Sequence, residues 1–152
     1  MIQIFEVDPR EPEITAILQT HLDFCRASTP AEHVYALDVS KLVAPNITVF
    51  AAKLDGEFVG VGAVRIFEES HAEIKSMHTL LKARGKGISK VLVQHMLDFA
   101  RQKGVARMSL ETGTNEAFKP ARELYKSFGF IESEAFSDYV LSEDNMCMSR
   151  LI

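Results

Sequence analysis

The sequence predicts an α/β (α+β) fold in which a mixed sheet of six to seven strands is flanked by about four helices. Three observations carry this. Short runs rich in Val, Ile and Phe are interleaved with amphipathic stretches of helical period. Asp55-Gly56 separates two of the apolar runs and is a two-residue hairpin signal, which makes the strands of the first half antiparallel. Between residues 73 and 110 a strand, a glycine-containing loop, a helix and another strand follow in turn. A unit of that length sets its two strands parallel through a right-handed crossover.

The elements follow in order. Ile2, Ile4 and Val7 mark a short strand ended by Asp8-Pro9. Pro12 opens a helix on which Ile14, Ile17, Leu18, His21, Leu22 and Cys25 recur at three and four residues. Thr29-Pro30-Ala31-Glu32 is a capping box with proline at the first helical position, so a second helix is expected through Val34, Leu37 and Val39. Ile47 to Leu54 and Phe58 to Phe67 are central strands. Gly60 and Gly62 inside the latter mark a bulge, a close approach of another backbone, or a strand packed tightly under a helix. Ala72 to Leu80 returns as a strand. The next helix carries Ile88, Val91, Leu92, Met96, Phe99 and Ala100 on one face and stops at Lys103-Gly104. Val105 to Leu110 is a strand with Glu111 at its C-terminal end. Phe118 or Lys119 opens a last helix with Ala121, Leu124, Tyr125 and Phe128 inward, closed by Gly129 in the left-handed conformation. Phe130-Ile131 and Met146 to Leu151 are closing strands.

Composition bounds the function. With 152 residues, 47% hydrophobic and 25% charged, residues 1–152 are expected to form one domain. A net charge of -4 argues against nucleic acid or anionic membrane as partner. Cys25 and Cys147 are far apart and lack metal-ligand spacing, so no metal site is expected and a reducing, cytoplasmic setting is. No apolar run approaches a membrane span, and the start lacks the basic and apolar regions of a signal peptide.

The most informative stretch runs from Leu81 to Leu92. Gly85 and Gly87 alternate with Arg84 and Lys86 after a strand and before a helix. Glycine lets a backbone approach an anion, the first-turn N–H groups lack intrahelical partners, and the helix dipole adds partial positive charge. Such a loop suits a diphosphate. Neither the Gly-x-Gly-x-x-Gly dinucleotide pattern nor a P-loop is present. A solvated strand-to-helix turn is the plain alternative.

Arg84-Gly85-Lys86-Gly87-Ile88-Ser89 resembles the Arg-x-x-Gly-x-Gly/Ala signature of the GNAT acyltransferases, with Ser89 at the last position. Ala121-Arg122-Glu123-Leu124-Tyr125-Lys126-Ser127-Phe128-Gly129-Phe130 resembles the Ala-x-x-Leu-Tyr-x-x-x-Gly-Phe element of the same family. Ala36-Leu37-Asp38, Glu73-Ile74-Lys75-Ser76-Met77, Glu111-Thr112-Gly113 and Asp138-Tyr139 are similar to pieces of a bacterial subgroup of small GNAT proteins. Where members often carry asparagine seven residues before the tyrosine this chain has Phe118, and Asn115 lies three residues earlier.

The resemblance implies the GNAT fold and acetyl-CoA as cosubstrate, with direct transfer of acetyl to a primary amine of a small molecule or amino-acid-like acceptor in a ternary complex. It also implies a homodimer. Coenzyme A is expected against Met77, His78 and Thr79, whose main chain polarises the thioester and pairs with pantetheine, against the loop Arg84, Gly85, Lys86, Gly87, Ile88 and Ser89, and against Phe118 and Tyr125. Tyr125 fits the acid that protonates the departing thiolate, or else an amphipathic core tyrosine. Glu73 is the first candidate base, as a carboxylate among apolar neighbours, or else a partner of Lys75. Glu111 is second and His78 third, with His21 or His33 acting through water. A non-catalytic GNAT-fold module that binds coenzyme A is the competing reading. The acceptor is not named by these motifs, because its site draws on the early helices and on the loop from Glu132 to Asn145.

Overall fold

The computed structural model describes residues 1–36 and 38–152. Among these, seven strands form one mixed sheet in the order β1-β2-β3-β4-β5-β7-β6. They are β1 (Ile2–Val7), β2 (Ile47–Leu54), β3 (Glu57–Glu68), β4 (His71–Thr79), β5 (Arg107–Gly113), β6 (Ile131–Ser133) and β7 (Asn145–Leu151). Three α-helices pack on it, α1 (Pro12–Ser28), α2 (Ile88–Gln102) and α3 (Lys119–Ser127).

The hairpin between β2 and β3 turns on Asp55 (φ 51°) and Gly56 (φ 86°), both left-handed, which is the turn whose twist matches antiparallel strands. β1 through β4 pair antiparallel, and β4 then pairs parallel with β5 after the α2 crossover. Side chains alternate between the two faces as a strand requires. Val49, Ala51, Val61 and Ala63 pack with Ile14, Ile17 and Leu18 of α1, whereas Phe50, Val64, Ile74 and Leu110 pack with Leu92, Val93, Met96 and Leu97 of α2. Truncating one such side chain, as in Leu92→Ala, costs about 2–5 kcal/mol.

The buried face of α2 is rotated from the expected one. Val93 and Leu97 are buried beside Ile88, Leu92, Met96 and Ala100, while Val91 is exposed. The four-residue row from 88 to 100 sets the axis of the stripe, and the flank lying over the sheet is the one carrying 93 and 97. Gly60 and Gly62 make this contact possible. A Cβ on Gly60 would lie 2.8 Å from Cγ2 of Ile88, and one on Gly62 would lie 3.0 Å from Sδ of Met96, both on α2. The strand is packed tightly under a helix.

The second helix expected from residue 30 does not form. Ala31–His33 is a single 3₁₀ turn, and a second 3₁₀ turn, Val39–Val43, starts at Asp38, whose side chain accepts from the Lys41 N–H. Thr29, placed before Pro30, is extended (φ -142°, ψ 140°), and Pro30 caps the turn with no side-chain hydrogen bond. Tertiary contacts take over instead, because His33 pairs with Asp144 and Tyr35 hydroxyl bonds to the main chain of Val140. Leu37, expected on that helix, lies outside the described residues. Among the described residues no helix is long and apolar enough to cross a membrane.

Candidate active site

The site is built where β4 and β5 part. Opposite β3, Val61 pairs with His78 and Ala63 with Lys75, so Ser76 and Met77 together face the single residue Gly62. This is a bulge, and it bends the strand. Ser76 carries it in the left-handed region (φ 56°), uncommon for a residue with a side chain, and its buried hydroxyl has no hydrogen-bond partner among the described residues. On the other edge, the parallel pairing with β5 ends at Ile74↔Leu110. Beyond that point Lys75–Thr79 and Glu111–Gly113 border a cavity of about 630 Å³.

The glycine loop closes one end of this cavity. Gly85 (φ 78°) and Gly87 (φ 84°) are left-handed, a conformation strained for any other residue, and Gly87 caps α2 without a side-chain hydrogen bond. The first-turn N–H groups of a fifteen-residue helix are thus uncapped by any side chain where the chain opens onto the cavity. Arg84, Gly85, Gly87, Ile88 and Ser89 line it; Lys86 does not. Ser89 hydroxyl is 2.8 Å from that of Thr79, which ties the helix start to the end of β4. The cradle fits the diphosphate of coenzyme A.

Along the walls, Met77, His78, Thr79, Phe118, Tyr125 and Glu111 all reach the cavity, so the loop, the β4 bulge and α3 converge on one space. Tyr125 is buried, stacks edge-on against Phe130, and has no side-chain hydrogen bond among the described residues; burial pushes its pKa up, which keeps the phenol protonated. Phe118 packs on Gly113 and on Phe24 with 5.2 Å between rings. Asn115 is not on the wall, because its Oδ1 caps the Ala117 N–H and its Nδ2 donates to Ser28 carbonyl at 2.6 Å.

Glu73 departs from the expectation of a carboxylate among apolar neighbours. It is fully buried and off the cavity wall. Arg65 Nε donates to its Oε1 at 2.5 Å and Tyr139 hydroxyl donates to its Oε2 at 2.8 Å, so both oxygens are engaged. Lys75 stands 3.7 Å from Oε1 and donates to Tyr139 hydroxyl at 2.6 Å. Glu111 is on the wall, with Oε2 accepting from Asn145 Nδ2 at 3.0 Å; burial raises its pKa against that hydrogen bond. His78 and His21 meet at 3.2 Å between their Nδ1 atoms, so one donates and the other accepts. Burial depresses both, to about 4 and about 3, and they are neutral at pH 7. Burial raises Cys25 and Cys147 to about 11, so neither is a thiolate at neutral pH.

Three contributors to the wall went unassigned in the sequence. Lys75, Ser76 and Tyr139 stand inside quoted motif pieces, but only the bulge and the return of the 134–145 loop bring them together. His33, tied to Asp144, and Tyr35, 5.0 Å from the Tyr139 ring, fill the same end.

The model of the Acetyltransferase (GNAT) family matches residues 13–130. "Uncharacterized N-acetyltransferase YsnE" of Bacillus subtilis is 37% identical over 138 residues, 91% of each chain. "Uncharacterized N-acetyltransferase YedL" of Escherichia coli is 32% identical over 149 residues, 98% of this chain and 94% of that one. Among solved structures, a putative acyl-CoA N-acyltransferase from Klebsiella pneumoniae superposes with a TM-score of 0.82 at 24% identity, covering 99% of this chain and 97% of that one. A GNAT family acetyltransferase from Elizabethkingia anophelis with acetyl-CoA bound gives a TM-score of 0.72 at 16% identity, covering 99% and 98%.

Proposed function

Because the chain belongs to the GNAT acetyltransferase family, we propose that it moves the acetyl group of acetyl-CoA onto a primary amine of a small-molecule or amino-acid-like acceptor, by direct attack in a ternary complex. The chain is an acetyl-CoA-dependent N-acetyltransferase. The observation that carries it is the uncapped, glycine-led start of α2 opening onto the same cavity as Tyr125 and Glu111.

The cosubstrate supplies an acetyl thioester whose carbonyl carbon is the electrophile. Main-chain N–H groups from Gly87 to Lys90 hold the diphosphate, assisted by Arg84. The β4 main chain beyond Ile74, unpaired on its β5 side, would take the pantetheine arm as an added strand. An N–H between Met77 and Thr79 polarises the thioester oxygen as negative charge develops there. Glu111 takes a proton from the acceptor ammonium, and the freed amine forms the C–N bond as the C–S bond breaks. Tyr125 hydroxyl gives its proton to the sulfur, and the second proton, which the nitrogen sheds as it becomes an amide, restores the phenol by way of solvent. Glu73 is a positioning residue instead: it anchors Arg65 and Tyr139, and through Tyr139 it fixes Lys75.

Acetyl-CoA-dependent release of free thiol across a panel of amines tests the reaction, and calorimetry with coenzyme A tests the cradle. Binding without release on any amine returns the chain to a coenzyme A-binding module.

A further inference from the structure

We propose that the acetyl acceptor is an amino acid with a free carboxylate beside its amine, and that Lys75 holds this carboxylate while Glu111 faces the ammonium. This rests on the acetyl-transfer reading and narrows it.

The sheet register sets the pair. Ile74 and Leu110, the last partners across β4 and β5, both bury their side chains on the α2 face. The next residues on each strand are Lys75 and Glu111, so both point to the opposite face, side by side at the place where the strands part. Both border the cavity.

They act on one another through space without touching. Lys75 and Glu111 form no salt bridge, and the carboxylate nearest to Lys75 is Glu73 at 3.7 Å, already held by Arg65 at 2.5 Å. The one short bond of the ammonium goes to a neutral phenol, Tyr139 at 2.6 Å. Two cations therefore share one carboxylate around a lysine whose side chain is 9% exposed. Keeping a cation in so dry a place is costly unless an anion completes its shell. Only one oxygen of Glu111 is engaged, by Asn145, and the other has no partner among the described residues. The remaining ionisable groups at this end are already satisfied, His33 by Asp144 and His21 by His78. What is left is one positive and one negative group on a common face, a match for a zwitterion. A polyamine leaves Lys75 facing a second cation, and a peptide N-terminus offers no carboxylate near its amine. If Lys75 were only packing, a neutral side chain bonded to Tyr139 would serve without the cost of the charge.

The test is kcat/KM for thiol release with acetyl-CoA and each free amino acid, followed by the decarboxylated amine and the methyl ester of the best acceptor. A charge-assisted contact to the carboxylate favours the amino acid by about 10- to 150-fold over either analogue. Lys75→Met collapses that ratio toward one, chiefly through KM, while the thermal shift given by coenzyme A shows that the variant is folded. Amines without a carboxylate reacting as well as amino acids, a peptide N-terminus reacting better, or Lys75→Met slowing acid and amine alike would each overturn the assignment and leave acetyl transfer standing. Failure of coenzyme A to bind removes both.

Discussion

Glu73→Gln separates a structural carboxylate from a catalytic one. The substitution keeps the shape and an acceptor for Tyr139 but removes the charge that faces Arg65 at 2.5 Å in a fully buried position. Removing one member of a buried pair costs about 3–5 kcal/mol. Arg65 retains some solvent, with 21% of its side chain exposed, and keeps a bond to Ser137, so roughly 2–3 kcal/mol is expected. For a chain of this size that lowers Tm by roughly 4–12 °C. Glu111→Gln does the reverse: it leaves Tm within about 2 °C, since its partner Asn145 also bonds Ser142 and Val140, and lowers turnover by ~10²- to 10⁴-fold. The pH profile adds a sign. Burial holds the Glu111 carboxyl above the ordinary carboxylate range, so its basic form appears, and kcat/KM rises, only as pH climbs through that raised value. That acidic limb is absent in Glu111→Gln. Calorimetry and turnover against pH on both variants, once an acceptor is in hand, decide the matter. A Glu73→Gln protein that melts with the wild type, loses turnover at neutral pH and recovers at high pH would return the base to Glu73 and refute this reasoning.

Gly87→Val forces a β-branched residue into φ 84° and abolishes the thermal shift given by coenzyme A in calorimetry; an unchanged shift would place the diphosphate elsewhere. Tyr125→Phe keeps the ring against Phe130 and coenzyme A affinity, but lowers turnover by ~10²- to 10⁴-fold with no rescue at high pH; undiminished turnover would return the tyrosine to the core. His21 and His78 titrate at about 3 and about 4 in the fold against 6.5 in the unfolded chain. The unfolded chain therefore binds more protons below pH 6.5, and stability is lost as pH falls from 6.5 toward 4, with a shallower slope in His21→Phe; equal slopes in denaturant titrations would contradict the pairing. A homodimer is expected from the exposed edge strand β6 and the exposed Ile131 and Leu151, and light scattering that finds monomer at micromolar concentration would remove it.

Features encoded by a few neighbouring residues were legible in the sequence. Asp55-Gly56 set the hairpin, and the glycines at 85 and 87 marked the left-handed loop that opens α2, because turn chemistry is local. Tyr125 reached the cavity because the period of α3 and the stop at Gly129 orient it. The surroundings of Glu73 were not legible. Arg65 faces it directly across β3 and β4, but that register is set by a second bulge next to the turn, where Phe67 is the extra residue between the Ile66↔Ala72 and Glu68↔His71 pairs, and Tyr139 arrives 66 residues later from an irregular loop. The missing helix has the same origin. Thr29-Pro30-Ala31-Glu32 carries a real capping signal, yet contacts with a loop about 110 residues away outweigh a local propensity of a few tenths of a kcal/mol per residue.

The seam between β4 and β5 divides the molecule in time as well as in space. β2 and β3 meet across two residues, whereas β7 reaches β5 only after about 30 intervening residues are closed into a loop, at an entropic disadvantage of about 2 kcal/mol. β6, which touches the sheet only through β7, must wait for that closure. By the same loop-closure argument β2, β3 and β4, joined by two-residue turns, are the early half and β5, β7 and β6 the late half, linked by four registered residue pairs. Lys75 stands on the first half and Glu111 on the second. Lys75 and Glu111 come within reach of each other only once β5 has docked on β4 across the α2 crossover, so damage to that docking separates the two groups while β2, β3 and β4 stay paired.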